Sequence, residues 1–496
     1  MTAIEPRITE ENLDPADWDA LRKTAHRMVD DMLTYLQSVR DRPAWRPIPS
    51  EHKAAFNASP LPLEPQDIDQ VYEDYNNDVL SYPMGNIHPR FWAWVIGTGT
   101  PSAALYEMLA AGLNPNVGGG DHMANQVEKL VIEWCKEMLG YPAEASGLLV
   151  NGGSMANLTG LNVARNVKLL EAGIDVRTHG LTAAPRLRLY CSSETHSSVQ
   201  RAAEVLGMGS ESIHTIPVDS EFRIDLAALQ AAINVDRDAG SLPFCVIGSA
   251  GTTNTGSIDD LNALADLCER EHLWYHVDGA IGAVAALSPA TLPRLHGMER
   301  ADSLAFDMHK WLHIPFEAGC ILIRSREQHY NTFTLTPPYL VHSTRGTAGG
   351  DLWPSDYGIQ LSRGFLALKV WMSLKEHGIR KLGRSIQQNI DQAQYLKALV
   401  EAAPDLELLA PVALNIVCFR YAPSGMDDAA LNALNEEILL QIQEQGIAVP
   451  SGTKLNGKYA LRVSITNHRT LREDFDLLVR EVIRLGKAFA HSLPKQ

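Results

Sequence analysis

Residues 306–311 read FDMHKW, in which a lysine follows a short apolar run and has histidine and tryptophan beside it. Taken alone, Lys310 is compatible with an ordinary surface lysine. A lysine that forms an imine with a carbonyl compound needs a sheltered, partly apolar setting that keeps its amine reactive. Phe306, Met308 and Trp311 can provide that setting. The stretch therefore marks Lys310 as a candidate covalent residue.

A second motif lies upstream, where residues 276–280 read HVDGA at the end of another predicted strand. Asp278 fits the common role of capping the turn that follows. It also fits a carboxylate that keeps a pyridine nitrogen protonated, so that the ring can accept electrons when a substrate bond breaks. Gly279 and Ala280 leave room for a flat ligand close to the backbone.

Residues 151–157, NGGSMAN, form a glycine-rich turn that leads from a predicted strand into a helix. Free backbone N–H groups, including that of Gly153, and the positive end of the helix dipole suit such a turn to phosphate binding. The Ser154 hydroxyl adds a donor. A purely structural turn fits the same residues. The turn is not a P-loop, because the Gly-Lys-Ser/Thr ending is absent.

Two further polar segments follow predicted strands. His196 lies within residues 192–198, SSETHSS, where it can be a structural histidine or can stack on a flat cofactor and affect substrate protonation. Residues 251–256, GTTNTG, place Thr252 at the same rim, although a plain polar turn also fits. No single motif is decisive, but five such motifs at successive strand ends rarely occur together by chance.

Alternating strands and helices predict the fold class. Strands are predicted at residues 147–151, 187–191, 244–249, 273–278 and 303–306, with amphipathic helices between several of them. This alternation indicates an α/β fold with a mainly parallel sheet that helices cover on both faces. Ligands of such sheets collect at the carboxyl ends of the strands, which is where every motif falls.

A chain of 496 residues is too long for a single core. Residues 1–85 are predicted to form a helical arm and linker, and the arm can equally clasp a partner subunit or pack on its own chain. Residues 86–375 are predicted to form a large domain and residues 376–496 a smaller α/β domain. Residues 337–357 have the composition of a mobile, lid-type loop.

The bulk composition narrows the function classes. A formal net charge of −16 argues against binding to nucleic acid or acidic lipid. The six scattered cysteines favour a reducing cytoplasm and argue against a disulfide framework or a metal site. The sequence shows neither a secretory signal nor an apolar run near the roughly 20 residues of a membrane span. A cytoplasmic protein is therefore expected.

Together the motifs resemble the group II pyridoxal-phosphate-dependent decarboxylases, whose members act on aromatic amino acids, glutamate, histidine and tyrosine. The resemblance spans roughly residues 70–490 and is supported by HPRF at 88–91, THSSVQRA at 195–202 and LRV at 461–463. It implies the aspartate-aminotransferase type of fold, fold-type I. It also implies pyridoxal 5'-phosphate as cofactor and a homodimer whose active sites are shared between subunits.

The resemblance also implies roles for individual residues. Lys310 would be the Schiff-base lysine, Asp278 the partner of the pyridinium nitrogen, and His196 the residue stacked on the ring. It places the remaining cofactor contacts at Gly153, Ser154, Thr252, Ala280 and His309, with the phosphate held by Ser154, neighbouring amides and His309. Arg462 would lie near the active-site mouth.

The implied reaction is decarboxylation of an L-amino acid to the amine and carbon dioxide, with the breaking bond held perpendicular to the cofactor ring. Alternatives within the class are oxidative deamination to an aldehyde, transamination and carbon–carbon lyase chemistry. A catalytically silent dimeric binding or scaffold protein is a further alternative, against which Lys310 and Asp278 both argue. The missing G-x-G-x-x-G disfavours a nucleotide-binding protein.

Two positions depart from the family pattern. Where the family's mobile loop commonly carries a proton-donating tyrosine, alignment by eye places Trp353 or Pro354, with Tyr339 and Tyr357 to either side. In related enzymes a change here accompanies aldehyde formation, so the sequence leaves the protonating group open. Asp307 stands where asparagine is usual, and its charge near a phosphate is unfavourable unless it is paired or turned away.

The sequence indicates the substrate less clearly than the cofactor. Trp92 and Trp94 can line an apolar pocket, which favours an aromatic amino acid, or can be plain core. Residues 114–120 are small and polar where aromatic-specific members are bulkier, which weakens the aromatic assignment. Tyr339, Trp353 and Arg462 are further candidate substrate contacts.

Overall fold

The computed structural model describes residues 11–335, 343–350 and 353–490. Its helices are α1 Trp18–Gln37, α2 Ser50–Asn57, α3 Ile68–Asp74, α4 Pro101–Leu113, α5 Met123–Leu139, α6 Gly153–Glu171, α7 Val176–His179, α8 Ser198–Val205, α9 Leu226–Asp238, α10 Leu261–Glu271, α11 Met308–Trp311, α12 Arg326–Phe333, α13 Leu366–His377, α14 Ile379–Ala402, α15 Asp428–Glu444 and α16 Arg472–Ala490. Its strands are β1 Ser146–Val150, β2 Leu187–Ser192, β3 Ile213–Ile216, β4 Leu242–Ser249, β5 Trp274–Asp278, β6 Ser303–Asp307, β7 Gly319–Ile323, β8 Leu406–Leu408, β9 Ile416–Tyr421, β10 Ser451–Leu455 and β11 Lys458–Ser464.

A seven-stranded sheet in the order β1-β7-β6-β5-β4-β2-β3 forms the centre of the larger unit. Only β7 runs antiparallel to its neighbours, β1 and β6, and the other pairings in this sheet are parallel. The predicted α/β class with a mainly parallel sheet is confirmed. Strands β3 and β7 were not predicted from the sequence, because short strands carry little periodic signal.

Burial on both faces explains why the central strands are almost continuously apolar. β5 is buried at every position, and β4 at every position except its first. One apolar core lies on one face with Leu264, Val277 and Phe306, and a second lies on the other with Leu161, Ile247 and Ile321. The helices between strands supply these cores, and several begin with an aspartate that caps the first amides, as Asp260 does for α10.

A second sheet of four antiparallel strands, in the order β10-β11-β9-β8, packs with α14, α15 and α16 around a third core. Helix α1 buries only Thr24 and Tyr35, and Arg40 beyond it pairs with Asp474 of the same chain at 3.0 Å. The N-terminal segment therefore contacts the C-terminal unit of its own chain. The division at residues 85 and 375 stays a prediction.

The sheet brings the ends of distant segments together. The carboxyl ends of β1, β2, β4, β5 and β6 lie at one edge, because these strands run in the same direction. β7 starts at that edge, and Gly319 pairs with both Val150 and Asp307. A Cβ on Gly319 would lie 2.5 Å from the Cα of Gly152, so the backbones meet closely here.

Part of the predicted lid, residues 337–342 and 351–352, lies outside the described residues. In the part of the chain that the structure describes, no helix combines the length and apolarity required for a membrane crossing. Across the same ranges, no three His, Cys, Asp or Glu side chains are grouped so that they could bind a metal ion.

Candidate active site

A cavity of about 450 Å³ opens at the carboxyl edge of the large sheet, a size typical of sites for small ligands. Its walls come from the loops after β1, β2, β4, β5 and β6. Most of the predicted site residues lie on it. They are Gly153, Ser154, His196, Asp278, Ala280, His309 and Lys310.

Lys310 lies on the one-turn helix α11 directly after β6. Its Nζ is 2.8 Å from Oδ2 of Asp307, the last residue of the strand, whose side chain is buried. The carboxylate expected to be unfavourable here is therefore paired with the candidate covalent lysine. Among the described residues, no hydrogen-bond partner meets its other oxygen, Oδ1.

Asp278 is the last residue of β5 and is 8% exposed. Its Oδ2 accepts a hydrogen bond from Nδ2 of Asn157 at 2.9 Å, and its Oδ1 accepts one from the backbone N–H of Ala280 at 3.1 Å. These two donors orient the carboxylate at the wall of the cavity. An acceptor held in this way can bind a protonated ring nitrogen.

The glycine-rich turn forms the opposite wall. Gly152 has a φ of 153°, a conformation that L side chains rarely adopt, and α6 begins immediately after it. A Cβ on Gly153 would lie 2.9 Å from Oδ2 of Asp307, so the turn is packed against β6. The first amides of the 19-residue helix have no partner within the helix, and together with the dipole they attract an anion.

Two histidines border the cavity. His196 keeps contact with solvent, but the protein around its ring removes part of the ring's hydration, and this lowers its pKa. The negative charge of Asp278 opposes this shift and the positive charge of Lys310 adds to it. His309 is buried, which lowers its pKa, and its Nδ1 accepts a hydrogen bond from the backbone N–H of Ala318 at 3.1 Å. Both imidazoles are therefore neutral at neutral pH in this geometry.

The structure places Thr252 beside the lining of the cavity and not within it. Its hydroxyl is buried within its own loop, 3.0 Å from that of Thr255, and it accepts a hydrogen bond from the backbone N–H of Ser257 at 3.2 Å. The neighbouring Thr253 lines the cavity instead. Successive residues of the turn face in different directions, which spacing alone did not reveal.

The two tryptophans that were predicted as substrate contacts lie apart from this cavity. Trp92 is 1% exposed, stacks on Phe475 with ring centres 5.1 Å apart and belongs to the core of the smaller unit. Trp94 is 57% exposed and lines a different cleft together with Trp45 and Phe91. In the single chain neither indole contributes to the cavity that Lys310 and Asp278 share.

Arg462, which was predicted to lie near the opening of the active site, binds backbone carbonyl groups. Its guanidinium is buried and donates to the carbonyl oxygens of Asn254 at 3.0 Å, of Trp94 at 2.8 Å and of Thr253. The side chain thus ties strand β11 to the loop that carries Thr253. The predicted contact between Arg462 and the substrate stays a prediction.

The remaining substrate candidates come from the predicted loop. Tyr339 lies outside the described residues. Trp353 packs on the segment that leads into α5, so closely that a Cβ on Gly119 would overlap the indole ring. The backbone N–H of Ser355 bonds to the carbonyl of Gly118 at 3.0 Å. Residues 114–120 and the end of the loop therefore pack together.

Sequence reasoning missed several residues that the cavity requires. Asn157 and Ser198 line it, and so do Phe316 and Glu317 from the loop before β7. Asn157 lay inside the quoted NGGSMAN motif, one helical turn beyond Ser154, so its spacing was a usable signal. No signal in the sequence indicated Phe316, because its segment reaches the cavity only through the pairing of β7.

The donors and acceptors fit pyridoxal phosphate. A primary amine, a carboxylate and a helix N-terminus surround one cavity, and they match the carbonyl carbon, the ring nitrogen and the phosphate of that molecule. The Gly152–Gly153 turn leaves room for the phosphate, since a Cβ on Gly152 would lie 3.2 Å from the His309 ring. The pairing of Asp307 with Lys310 removes the main electrostatic objection.

Comparisons with known proteins agree with this fit. A family profile described as the pyridoxal-dependent decarboxylase conserved domain matches residues 49–422. The chain is 36% identical to the aromatic-L-amino-acid decarboxylase of Bacillus atrophaeus over 482 residues, which cover 96% of this chain and 97% of that enzyme. It is 29% identical to a phenylacetaldehyde synthase of Arabidopsis thaliana over 485 residues, covering 95% and 97% of the two chains. The fold is similar to that of Oryza sativa TDC crystallised with PLP and tryptamine, with a TM-score of 0.89 at 24% identity over 96% of this chain and 100% of that one.

Proposed function

Since the chain belongs to the pyridoxal-dependent decarboxylase family and is a pyridoxal-phosphate-dependent amino-acid decarboxylase of fold-type I, we propose that it decarboxylates an aromatic L-amino acid at the cavity bounded by Lys310 and Asp278. The observation that carries the site is the convergence of these two side chains and the N-terminus of α6 on one cavity. Each group is of the type that the cofactor needs.

When bound, pyridoxal phosphate accepts the electron pair that is released as the bond between Cα and the carboxylate breaks. Asp278 would keep a proton on the ring nitrogen, because two N–H donors orient its carboxylate toward the cavity. The turn before α6 and the Ser154 hydroxyl would hold the phosphate, with His309 packed against the turn. His196 would stack on the ring.

Lys310 would supply the amine that holds the cofactor. Its Nζ pairs with Oδ2 of Asp307 at 2.8 Å. This ion pair holds the amine at the wall of the cavity. The amine must be deprotonated before it can attack a carbonyl carbon, and Asp307 is the nearest carboxylate that can take up or relay that proton.

The covalent role is tested with sodium borohydride, which fixes an imine as a stable amine. We expect wild-type protein loaded with pyridoxal phosphate to give an adduct that peptide mass spectrometry locates at Lys310. Lys310→Ala should lose the adduct and keep its circular dichroism spectrum. Lys168→Ala is the matched control, because Lys168 pairs with Glu171 and does not line the cavity, and it should keep the adduct. An adduct that survives Lys310→Ala would refute the assignment.

The aromatic substrate is supported by the 36% identical relative, which is named for aromatic amino acids. Aldehyde formation is the second candidate, supported by the phenylacetaldehyde synthase among the relatives and by the tryptophan at position 353. A panel of phenylalanine, tyrosine, tryptophan, histidine and glutamate separates these possibilities. We expect carbon dioxide and an amine from an aromatic substrate. Carbon dioxide, ammonia and an aldehyde in equal amounts, with uptake of dioxygen and release of hydrogen peroxide, would favour the second reaction. Turnover of glutamate alone would refute the aromatic proposal.

The protein is proposed to act as a homodimer with shared active sites in the cytoplasm. Four apolar side chains on α4 are exposed in the single chain and share one face of the helix, at Leu105, Met108, Leu109 and Leu113. We expect light scattering to give twice the 54.5 kDa of the chain. Leu109→Glu should shift the equilibrium toward monomers and lower activity in parallel. A fully active monomer would exclude shared sites.

The cytoplasmic assignment is supported by the cysteines. All six are buried free thiols, and they carry no disulfide that would need an oxidising compartment. Cell fractionation with antibody detection tests it directly, and recovery of the protein from a secreted or membrane fraction would contradict it.

A further inference from the structure

A chain of buried hydrogen bonds runs through the sheet behind the cavity. The indole Nε1–H of Trp274 donates to Oγ of Ser303 at 2.8 Å, and this oxygen lies 2.7 Å from Nδ1 of His276. On the other side of the same imidazole, Nε2 lies 3.0 Å from Oδ1 of Asn157. All four side chains are buried, so water does not interrupt the chain.

The chain divides at Asn157 and reaches the cavity. One N–H of the amide donates to Oδ2 of Asp278 and the other to Oγ of Ser198, both at 2.9 Å. Oγ of Ser198 in turn lies 2.9 Å from Nδ1 of His196, which also accepts the backbone N–H of Ser198 at 3.2 Å. The two cavity residues Asp278 and His196 are thus connected through a single amide.

The carboxylate end of this series of hydrogen bonds sets the direction of donation, and the indole end is compatible with it. An indole N–H can only donate, so Ser303 accepts from Trp274 and its own hydroxyl proton remains available to His276. A carboxylate can only accept, so the Asn157 nitrogen must face Asp278 and its oxygen must face His276. That arrangement needs a proton on Nε2 of His276 and none on Nδ1. Complete burial, which lowers the pKa of His276 to about 4, keeps the ring neutral and consistent with this pattern.

The same direction of hydrogen-bond donation continues from Asn157 through Ser198 to His196 at the cavity. Because Ser198 accepts from the Asn157 amide, its hydroxyl proton is left for Nδ1 of His196. The backbone N–H of Ser198 donates to the same nitrogen, which leaves no room for a proton there. His196 must therefore carry its single proton on Nε2.

We propose that Asn157, His276 and Ser198 are positioning residues that form a one-way hydrogen-bond relay, which aims the carboxylate of Asp278 and holds His196 in the tautomer protonated at Nε2. The relay gives the cavity an oriented acceptor and an oriented N–H donor from one buried amide. Its catalytic consequence rests on the proposed function. The protonation pattern depends only on side chains of the protein and does not require the cofactor.

Nuclear magnetic resonance tests the pattern directly. Full-length deuterated protein labelled with ¹⁵N in histidine is compared with and without pyridoxal phosphate at pH 7.5, and His196→Gln and His276→Gln assign the two rings. We expect pyrrole-type Nε2 and pyridine-type Nδ1 signals for both residues in each state. A proton on Nδ1 of either ring, an averaged pair of signals or a charged ring would overturn the relay.

Asn157→Asp tests the function of the relay, because it replaces the shared donor with a second carboxylate facing Asp278. We expect pyridoxal phosphate to bind at least tenfold more weakly in an absorbance titration, and the His196 tautomer to become mixed. Asn162→Asp on the same helix is the control, since Asn162 accepts from Arg165 through an oxygen that aspartate retains. Unchanged binding and an unchanged tautomer in Asn157→Asp would refute the positioning role.

Ser198 provides a rescue pair that does not alter charge. Ser198→Thr keeps the hydroxyl and should keep the wild-type His196 signals, whereas Ser198→Ala removes it and should broaden or split them. Identical signals in both variants would refute the place of Ser198 in the relay. If wild-type protein shows the expected tautomers but no borohydride adduct at Lys310, the proposed function fails while the relay stands.

Discussion

Gly97 supports the backbone that carries the candidate covalent lysine. A Cβ added at Gly97 would lie 2.5 Å from the carbonyl oxygen of Lys310 and 2.9 Å from the carbonyl carbon of His309, and it would overlap the His309 oxygen. Real Cβ atoms essentially never approach other atoms within 3.0 Å. Gly97→Ala must therefore push helix α11 away from its place beside the cavity.

The cost of this change follows from what the added methyl group meets. Overpacking a dense interior costs about 1–3 kcal/mol, and occasionally more. We expect the upper end, about 3 kcal/mol, because backbone carbonyls cannot rotate away as a flexible side chain can. With about 2–4 °C per kcal/mol for units of 150–250 residues, the melting temperature should fall by roughly 6–12 °C. A displacement near 1 Å at Lys310 should lower kcat/KM by about 100-fold.

Scanning fluorimetry measures the melting temperature, and the borohydride reaction measures how much Lys310 still reaches the cofactor. Gly364→Ala is the matched control, since a Cβ there meets no atom within 4 Å and its φ is not positive. It should leave both readouts unchanged or raise stability by about 0.4–1 kcal/mol. Gly97→Ala protein that melts within a degree of wild type with full adduct yield would refute this reasoning.

Three further outcomes are expected. Asp278→Ala should lower kcat by about 10²–10³ while some cofactor stays bound, because one aimed charge is lost; near-normal turnover would contradict its role. Glu128→Leu should lower the free energy of unfolding by about 3–5 kcal/mol in urea titrations, because it leaves the buried guanidinium of Arg363 unpaired, and a change below 1 kcal/mol would contradict this. Burial lowers the pKa of His329 to about 3, so below pH 6.5 the unfolded chain binds a proton that the folded chain excludes. The free energy of unfolding should therefore decrease as the pH is lowered, and this residue should account for about 1.4 kcal/mol of the decrease between pH 8 and 5.5. In urea titrations at both pH values, His329→Gln should lose this part of the pH dependence.

The ion pair between Lys310 and Asp307 shows why a departure from a family pattern needs its surroundings. From the sequence, an acidic residue close to the phosphate position was unfavourable unless it was paired. The structure shows that its partner is the lysine three residues further along the chain. A spacing of three residues predicts contact only within a helix, and α11 begins immediately after Asp307.

The sequence by itself determined the class of fold and the centre of the site. Apolar strands alternating with amphipathic helices predict a parallel sheet, and parallel strands necessarily bring their carboxyl ends to one edge. The motifs around Ser154, His196, Asp278 and Lys310 could therefore be placed together without coordinates, and the structure places them on one cavity. Local pattern sufficed, because the chain direction of each strand fixes which end its motif occupies.

Tertiary structure alone decided what each side chain of ambiguous chemistry contacts. Trp92 is core because Phe475 and Thr470, almost 400 residues away in sequence, close over it. Arg462 holds a loop because its place on strand β11 brings the guanidinium to three backbone carbonyl oxygens. The direction of donation through Asn157 depends on an indole and a carboxylate at opposite ends of β5 and on Ser303 of the neighbouring strand β6. Burial and hydrogen-bond partners are properties of the assembled neighbours, and a local pattern carries no information about them.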